Sequence, residues 1–164
     1  MKRLLPFFLI IMMISLFSCR KAKPLVVNVD TSKADLEALS ANSSKIDIDM
    51  TKMSVTMIYS QIFNMLIMPE EYENKMIKVK GAFEIYPNEQ GEIDCFTLTV
   101  MDATACCKEG LDFIWLGDHS YPEDYPKQGD EITITGQYKS FENEEGITRS
   151  YLYVSELITT EANK

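Results

Sequence analysis

The chain has 164 residues, with 16 Lys and Arg against 25 Asp and Glu, a single histidine and a net charge of −9. That length suits one globular domain behind a short N-terminal segment. An acidic balance of this size argues against a phosphate backbone as ligand, which needs Lys and Arg to displace counterions, and against adhesion to anionic headgroups. No nucleic-acid partner is therefore expected.

Residues 1–18 read as a signal peptide. Lys2 and Arg3 form a positive n-region, and Leu4 to Leu16 make an apolar run too short to span a bilayer as a stable helix. The following "LFSC" resembles the lipobox of bacterial lipoproteins, with Leu16 three residues before Cys19 and small Ser18 just before it. Phe17 stands where a small residue is more usual. The resemblance implies cleavage before Cys19 and lipid, including palmitate, on its sulfur. The implied address is the cell envelope, on the outer side of the cytoplasmic membrane or on the outer membrane. Several acyl chains anchor firmly, because each buried methylene contributes ~0.8 kcal/mol. An ordinary signal peptide with an incidental cysteine is the alternative. Losing residues 1–18 takes two positive charges from the net −9, leaving −11. The basic cluster "RKAK" at residues 20–23 then lies beside the lipid, suited to headgroup contact.

Residues 19–49 read as a tether. They are rich in Ser, Ala, Asp and Lys, and "PLVVNV" and "KIDID" offer too little apolar surface to offset the entropy of fixing the backbone. All seven glycines fall between Gly81 and Gly146, inside a domain expected over residues 50–160.

That domain opens with a helix. From Thr51 to Met68, apolar residues Met53, Met57, Ile58, Ile62, Phe63, Leu66 and Ile67 recur at three- and four-residue steps, with Lys52, Ser60, Gln61 and Asn64 opposite. Asp49 or Thr51 is expected to cap the start, and Pro69 to end it. The methionines Met50, Met53, Met57, Met65 and Met68 admit a Cu(I) reading, since thioethers are soft ligands. Their alternation with Ile, Leu and Phe favours core packing instead.

Beyond Pro69 the period changes to two. "MIKVKGAFEIY", "CFTLTVMD", "LDFIWLG", "DEITITGQYKSF" and "SYLYVSELI" read as five strands. Turn-rich segments separate them, the longest being "GDHSYPEDYPKQGD". "IKVKGAF" and "ITITGQY" each carry a glycine inside the strand and an aromatic two residues later, as expected where a strand bends sharply or bulges. Five short strands, two of them bent at glycine, predict a mainly β fold: an OB-like Greek-key barrel preceded by an amphipathic helix. An SH3-like barrel and an open α+β meander are the alternatives. "YENKMIKVKG" and "YPKQGDEITITGQY" resemble the first and fourth strands of bacterial OB-fold domains. Asn74 replaces the usual glycine and is able to take the same left-handed geometry. Together with "DATACCKEGLDFIW", these segments resemble small uncharacterised bacterial lipoproteins with an OB-fold-like domain and a DATACC…G motif. That resemblance implies no particular activity. Comparable Cys-Cys strand ends occur in zinc-responsive permease systems, which hints at metal chemistry.

With Cys19 lipidated, Cys95, Cys106 and Cys107 remain, an odd number that cannot all pair within one molecule. Asp102 lies about 23 Å along an extended strand from Cys95, which argues against a site joining all three thiols. Four readings stay open for the adjacent pair. The leading one is a thiolate site for a soft divalent metal such as zinc, formed by Cys106, Cys107 and Asp102, with His119 arriving from the long loop. The others are a vicinal disulfide, a pairing of one thiol with Cys95, and two small buried side chains. Zinc is the only cofactor this implies. The same loop carries Tyr121, Glu123, Asp124 and Tyr125. With Trp115 these are candidates for binding a cation or a partner, because loops over barrel ends are where OB folds bind.

Catalysis has little support, since no nucleophile elbow, no phosphate-cradling glycine loop and no metalloprotease helix motif is present. The expected function is a membrane-anchored binding module. Another envelope protein or a transporter is the natural partner class, and an interaction module with structural cysteines is the alternative.

Overall fold

The computed structural model describes residues 45–142 and 146–160. The leader of residues 1–18, Cys19 and residues 20–44 of the expected tether lie outside the described residues. A short strand β1 (Ile48–Asp49) is followed by helix α1 (Val55–Ile67) and a 3-10 turn (Pro69–Glu71). Then come β2 (Met76–Pro87), β3 (Ile93–Met101), β4 (Lys108–Trp115), β5 (Glu131–Glu142) and β6 (Thr148–Thr159). The sheet order is β1-β2-β3-β4-β6-β5, and β5 pairs back onto β2. β2 to β6 therefore close into a five-stranded barrel with the Greek-key order of an OB fold. β4 and β6 run parallel, and every other barrel pair is antiparallel.

β2 makes the closure possible by serving two neighbours. Met76–Ala82 pair with β5, and Ala82–Pro87 pair with β3. Gly81 sits at the changeover, where a Cβ would stand 2.5 Å from the Thr99 carbonyl oxygen. Gly136 lies where the β5–β6 register shifts, and a Cβ there would meet the Tyr153 carbonyl oxygen at 2.6 Å. Both glycines of the repeated strand pattern thus remove side chains where backbones cross closely. Asn74, before β2, has φ 67°, the left-handed geometry the sequence anticipates.

Asp47 and Met76 exchange hydrogen bonds, Ile48 pairs with Ile77, and Met50 is fully buried. The last residues of the expected tether therefore add a parallel edge strand to β2. Ser54 caps α1 by accepting from the Met57 N–H. Asp49, expected as a cap, instead accepts from the Thr51 N–H and hydroxyl. The helix buries Ile58, Ile62 and Met65 against the barrel. Met57, Phe63 and Ile67, expected on the packing face, are 57%, 46% and 57% exposed. Apolar residues surround this uncharged helix, so periodicity alone does not choose which stripe faces inward. Tyr138 of β5 fixes the choice from the barrel side: its hydroxyl lies 2.6 Å from the Met65 carbonyl and 2.8 Å from the Ser150 hydroxyl.

α1 lies against the barrel end where β3 finishes and β4 begins, with Ile58 beside Val100. At the far end Phe83, Phe96, Phe113 and Tyr125 pack ring on ring, Phe96 and Tyr125 stacking at 4.3 Å. The two ends of β4 thus meet quite different surroundings.

Candidate metal centre and the aromatic loop opposite

The β3–β4 turn holds Asp102, Cys106 and Cys107. It closes by a hydrogen bond from the Asp102 N–H to the Cys107 carbonyl, and Ala105 takes a left-handed φ of 55°. Asp102 organises the turn from inside: Oδ1 accepts from the backbone N–H groups of Cys106 (2.9 Å) and Cys107 (3.4 Å). Its Oδ2 accepts from the Thr104 hydroxyl at 2.8 Å and lies 3.3 Å from the Cys106 sulfur. The Thr104 hydroxyl, followed by the Cys106 thiol and the two backbone N–H groups, pulls the Asp102 carboxyl down to about 2 despite some desolvation. It is a carboxylate at any physiological pH.

Both sulfurs are exposed and stand 3.5 Å apart as free thiols. One ligand atom from each of Asp102, Cys106 and Cys107 lies within 4.8 Å of the others. Tetrahedral zinc sets the standard for such a triad. Two sulfurs about 2.3 Å from the metal stand about 3.8 Å apart, and a sulfur and a carboxylate oxygen about 3.5 Å. The observed 3.5 and 3.3 Å need only a small outward movement. Asp102 is half-buried and both cysteines are exposed, so the turn is open to solvent. The Cys107 thiol is held above its usual range by its contact with Cys106, then by desolvation and the charges of Asp102 and Glu109.

The phenol of Tyr59 on α1 is raised by desolvation, then by the charges of Glu109, Cys107, Asp102 and Cys106. Sequence reasoning did not single out Thr104, Glu109 or Tyr59. Thr104 was legible in principle, because a hydroxyl two residues after an aspartate is a recurrent turn partner. Tyr59 was not, since only the docked helix brings it near.

His119 does not join the cysteines. It follows the C-terminal end of β4, and the cysteines precede its N-terminal end; eight extended residues separate the two by about 26 Å. His119 lies flat on Trp115 instead, with ring centroids 3.7 Å apart and planes at 13°. Cys95 is also apart, half-buried on β3 with its thiol 3.6 Å from the Thr97 hydroxyl and pushed up to about 11, mainly by burial. Of the expected loop residues, Tyr125 and Tyr121 pack on Phe96 at 4.3 and 5.5 Å, and Trp115 meets Tyr125 edge-on at 5.4 Å. Glu123 and Asp124 are exposed, and the Asp124 carboxylate accepts from the Ser120 N–H within the loop. The tyrosines fold over the barrel end while the carboxylates stay in solvent.

No family model matches the chain, and no curated protein does. Solved structures share its barrel at low identity. A DUF3299 family protein from Pseudomonas aeruginosa is 13% identical with a TM-score of 0.33, over 57% of this chain and 66% of that one, just under two thirds of its length. The SSB domain of a Synechococcus protein is 15% identical, with a TM-score of 0.32, over 51% of this chain and 92% of that one. A mitochondrial single-stranded DNA-binding protein from S. cerevisiae is 10% identical, with a TM-score of 0.34, over 53% and 95%. Proteins described as binding single-stranded DNA thus stand among the structural neighbours, and the expectation that excluded nucleic acid is withdrawn. That exclusion rested on net charge, a property of the whole chain, whereas single strands are held by local grooves and stacking rings.

Proposed function

We propose that this protein is an envelope lipoprotein, anchored through Cys19, whose barrel binds a soft divalent cation, with zinc the best match, at Asp102, Cys106 and Cys107. One observation carries the reading: two exposed thiols and a preformed carboxylate are spaced almost as a tetrahedral zinc would hold them. Three protein ligands leave one coordination position for water or an incoming ligand, unlike the closed four-ligand set of a structural zinc site. OB-like barrels serve as binding modules, so a cargo site on a hairpin turn fits the architecture.

A second reading, an interaction module with structural cysteines, is favoured by the exposed Met57, Phe63 and Ile67 on α1. Equilibrium dialysis against zinc, with metal and free thiols counted per chain, separates the two. The metal reading predicts one zinc per chain, lost in Cys106→Ser and in Cys107→Ser and retained in Cys95→Ser. A chain without bound zinc, whose three thiols all titrate freely, overturns it.

A further inference from the structure

At the end of the barrel far from the cysteine turn, β3, β4, β6 and the loop after β4 enclose a cavity of about 400 Å³. That volume falls in the range of roughly 300–1,000 Å³ typical of small-molecule sites. Its walls are aromatic: Phe96, Phe113, Trp115, Tyr125 and Tyr151 line it. Asp94 and Asp118, both exposed, also border it, His119 lines it while stacked on Trp115, and no lysine or arginine borders it among the described residues. We propose that this cavity is a binding site for a small organic ammonium ion, held by the aromatic walls and by the carboxylates of Asp94 and Asp118.

Each alternative occupant fails on a specific count. An anion meets two carboxylates, and the one basic side chain in the lining, His119, is stacked on Trp115. A neutral apolar molecule fits the walls but leaves the two charges at the border without a role. A compact metal ion needs several donors converging on one point, and among the described residues only the turn of Asp102, Cys106 and Cys107 provides such a gathering. A diffuse cation is different, because its charge is attracted by ring faces at up to about 6 Å and needs no close coordination shell. The chain's net charge of −9 adds a long-range attraction of the same sign. The site is independent of the metal proposal, lying at the other end of β4.

Trp115 is the only tryptophan in the chain and lines the cavity, so its fluorescence reports occupancy directly. The full-length protein is titrated at constant ionic strength with choline chloride and, separately, with choline's uncharged isostere carrying a tert-butyl group. The proposal predicts a saturable response to choline and binding of the isostere about tenfold weaker. The double variant Asp94→Asn with Asp118→Asn, whose thermal melt should match the parent, is predicted to lose about tenfold in choline affinity and to keep its affinity for the isostere. Cys106→Ser should bind choline like the parent, so failure here and failure of the metal site are read separately. Absence of a saturable choline response, or equal affinity for choline and its isostere, overturns the proposal.

Discussion

At the turn between β3 and β4, protons compete with metal for the same sulfurs. The Cys107 thiol is held above its usual range by Cys106, desolvation and neighbouring negative charge, so metal must displace its proton to bind. Asp102, pulled down to about 2, contributes no pH dependence near neutrality. The direction follows: thiolate becomes more available as pH rises, and affinity rises with it. Because Cys107 must shed its proton to bind as thiolate, zinc affinity should climb by about tenfold per pH unit from that sulfur alone between about pH 6 and 8. Competition titration with a chelator of known affinity measures this, and a flat profile contradicts thiolate ligation. The donors that proved close were legible because Asp102, Cys106 and Cys107 share one short turn. His119 was misplaced because sequence distance across a strand does not reveal which end of the barrel a loop covers.

Among the secondary elements, the two bent strands and the helix carry the folding logic. Gly136 marks a bulge in β5 where the Tyr153 carbonyl of β6 occupies the space a Cβ would need. Gly136→Ala should therefore destabilise the barrel by about 1–3 kcal/mol, the cost of overpacking a close approach. Denaturant unfolding measures it, and an unchanged midpoint would show that the strands part easily there. The glycine pattern made the bends legible, and the switch from period 3.6 to period 2 made the helix-to-strand transition legible. The inward face of α1 was not legible, because residues 55–67 carry no charge to mark a solvent side. Tyr138, reaching from β5 to the Met65 carbonyl, settles what the helical periodicity leaves open.

For the whole molecule, the OB-like barrel was legible from five strand-like runs, four alternating and "LDFIWLG" apolar on both faces, with two strand glycines and Asn74 before β2. The parallel addition of Ile48–Asp49 was hidden in a segment that reads as tether, because two residues of edge strand leave almost no periodic trace. The surface chemistry divides between the ends of β4, with thiols and a carboxylate at one and aromatic rings bordered by carboxylates at the other. On the proposed reading, lipid at Cys19 holds this module at the membrane. Cys19→Ser should shift the protein from the membrane fraction to the soluble fraction of fractionated cells, and unchanged membrane retention would contradict lipid anchoring.

Zinc-edge X-ray absorption on the dialysed protein tests the central proposal most directly, since it counts the sulfurs around the ion. The account predicts two sulfur scatterers at about 2.3 Å with oxygen completing the shell at about 2.0–2.2 Å, and loss of a sulfur in Cys107→Ser. A shell of oxygen and nitrogen alone would contradict it.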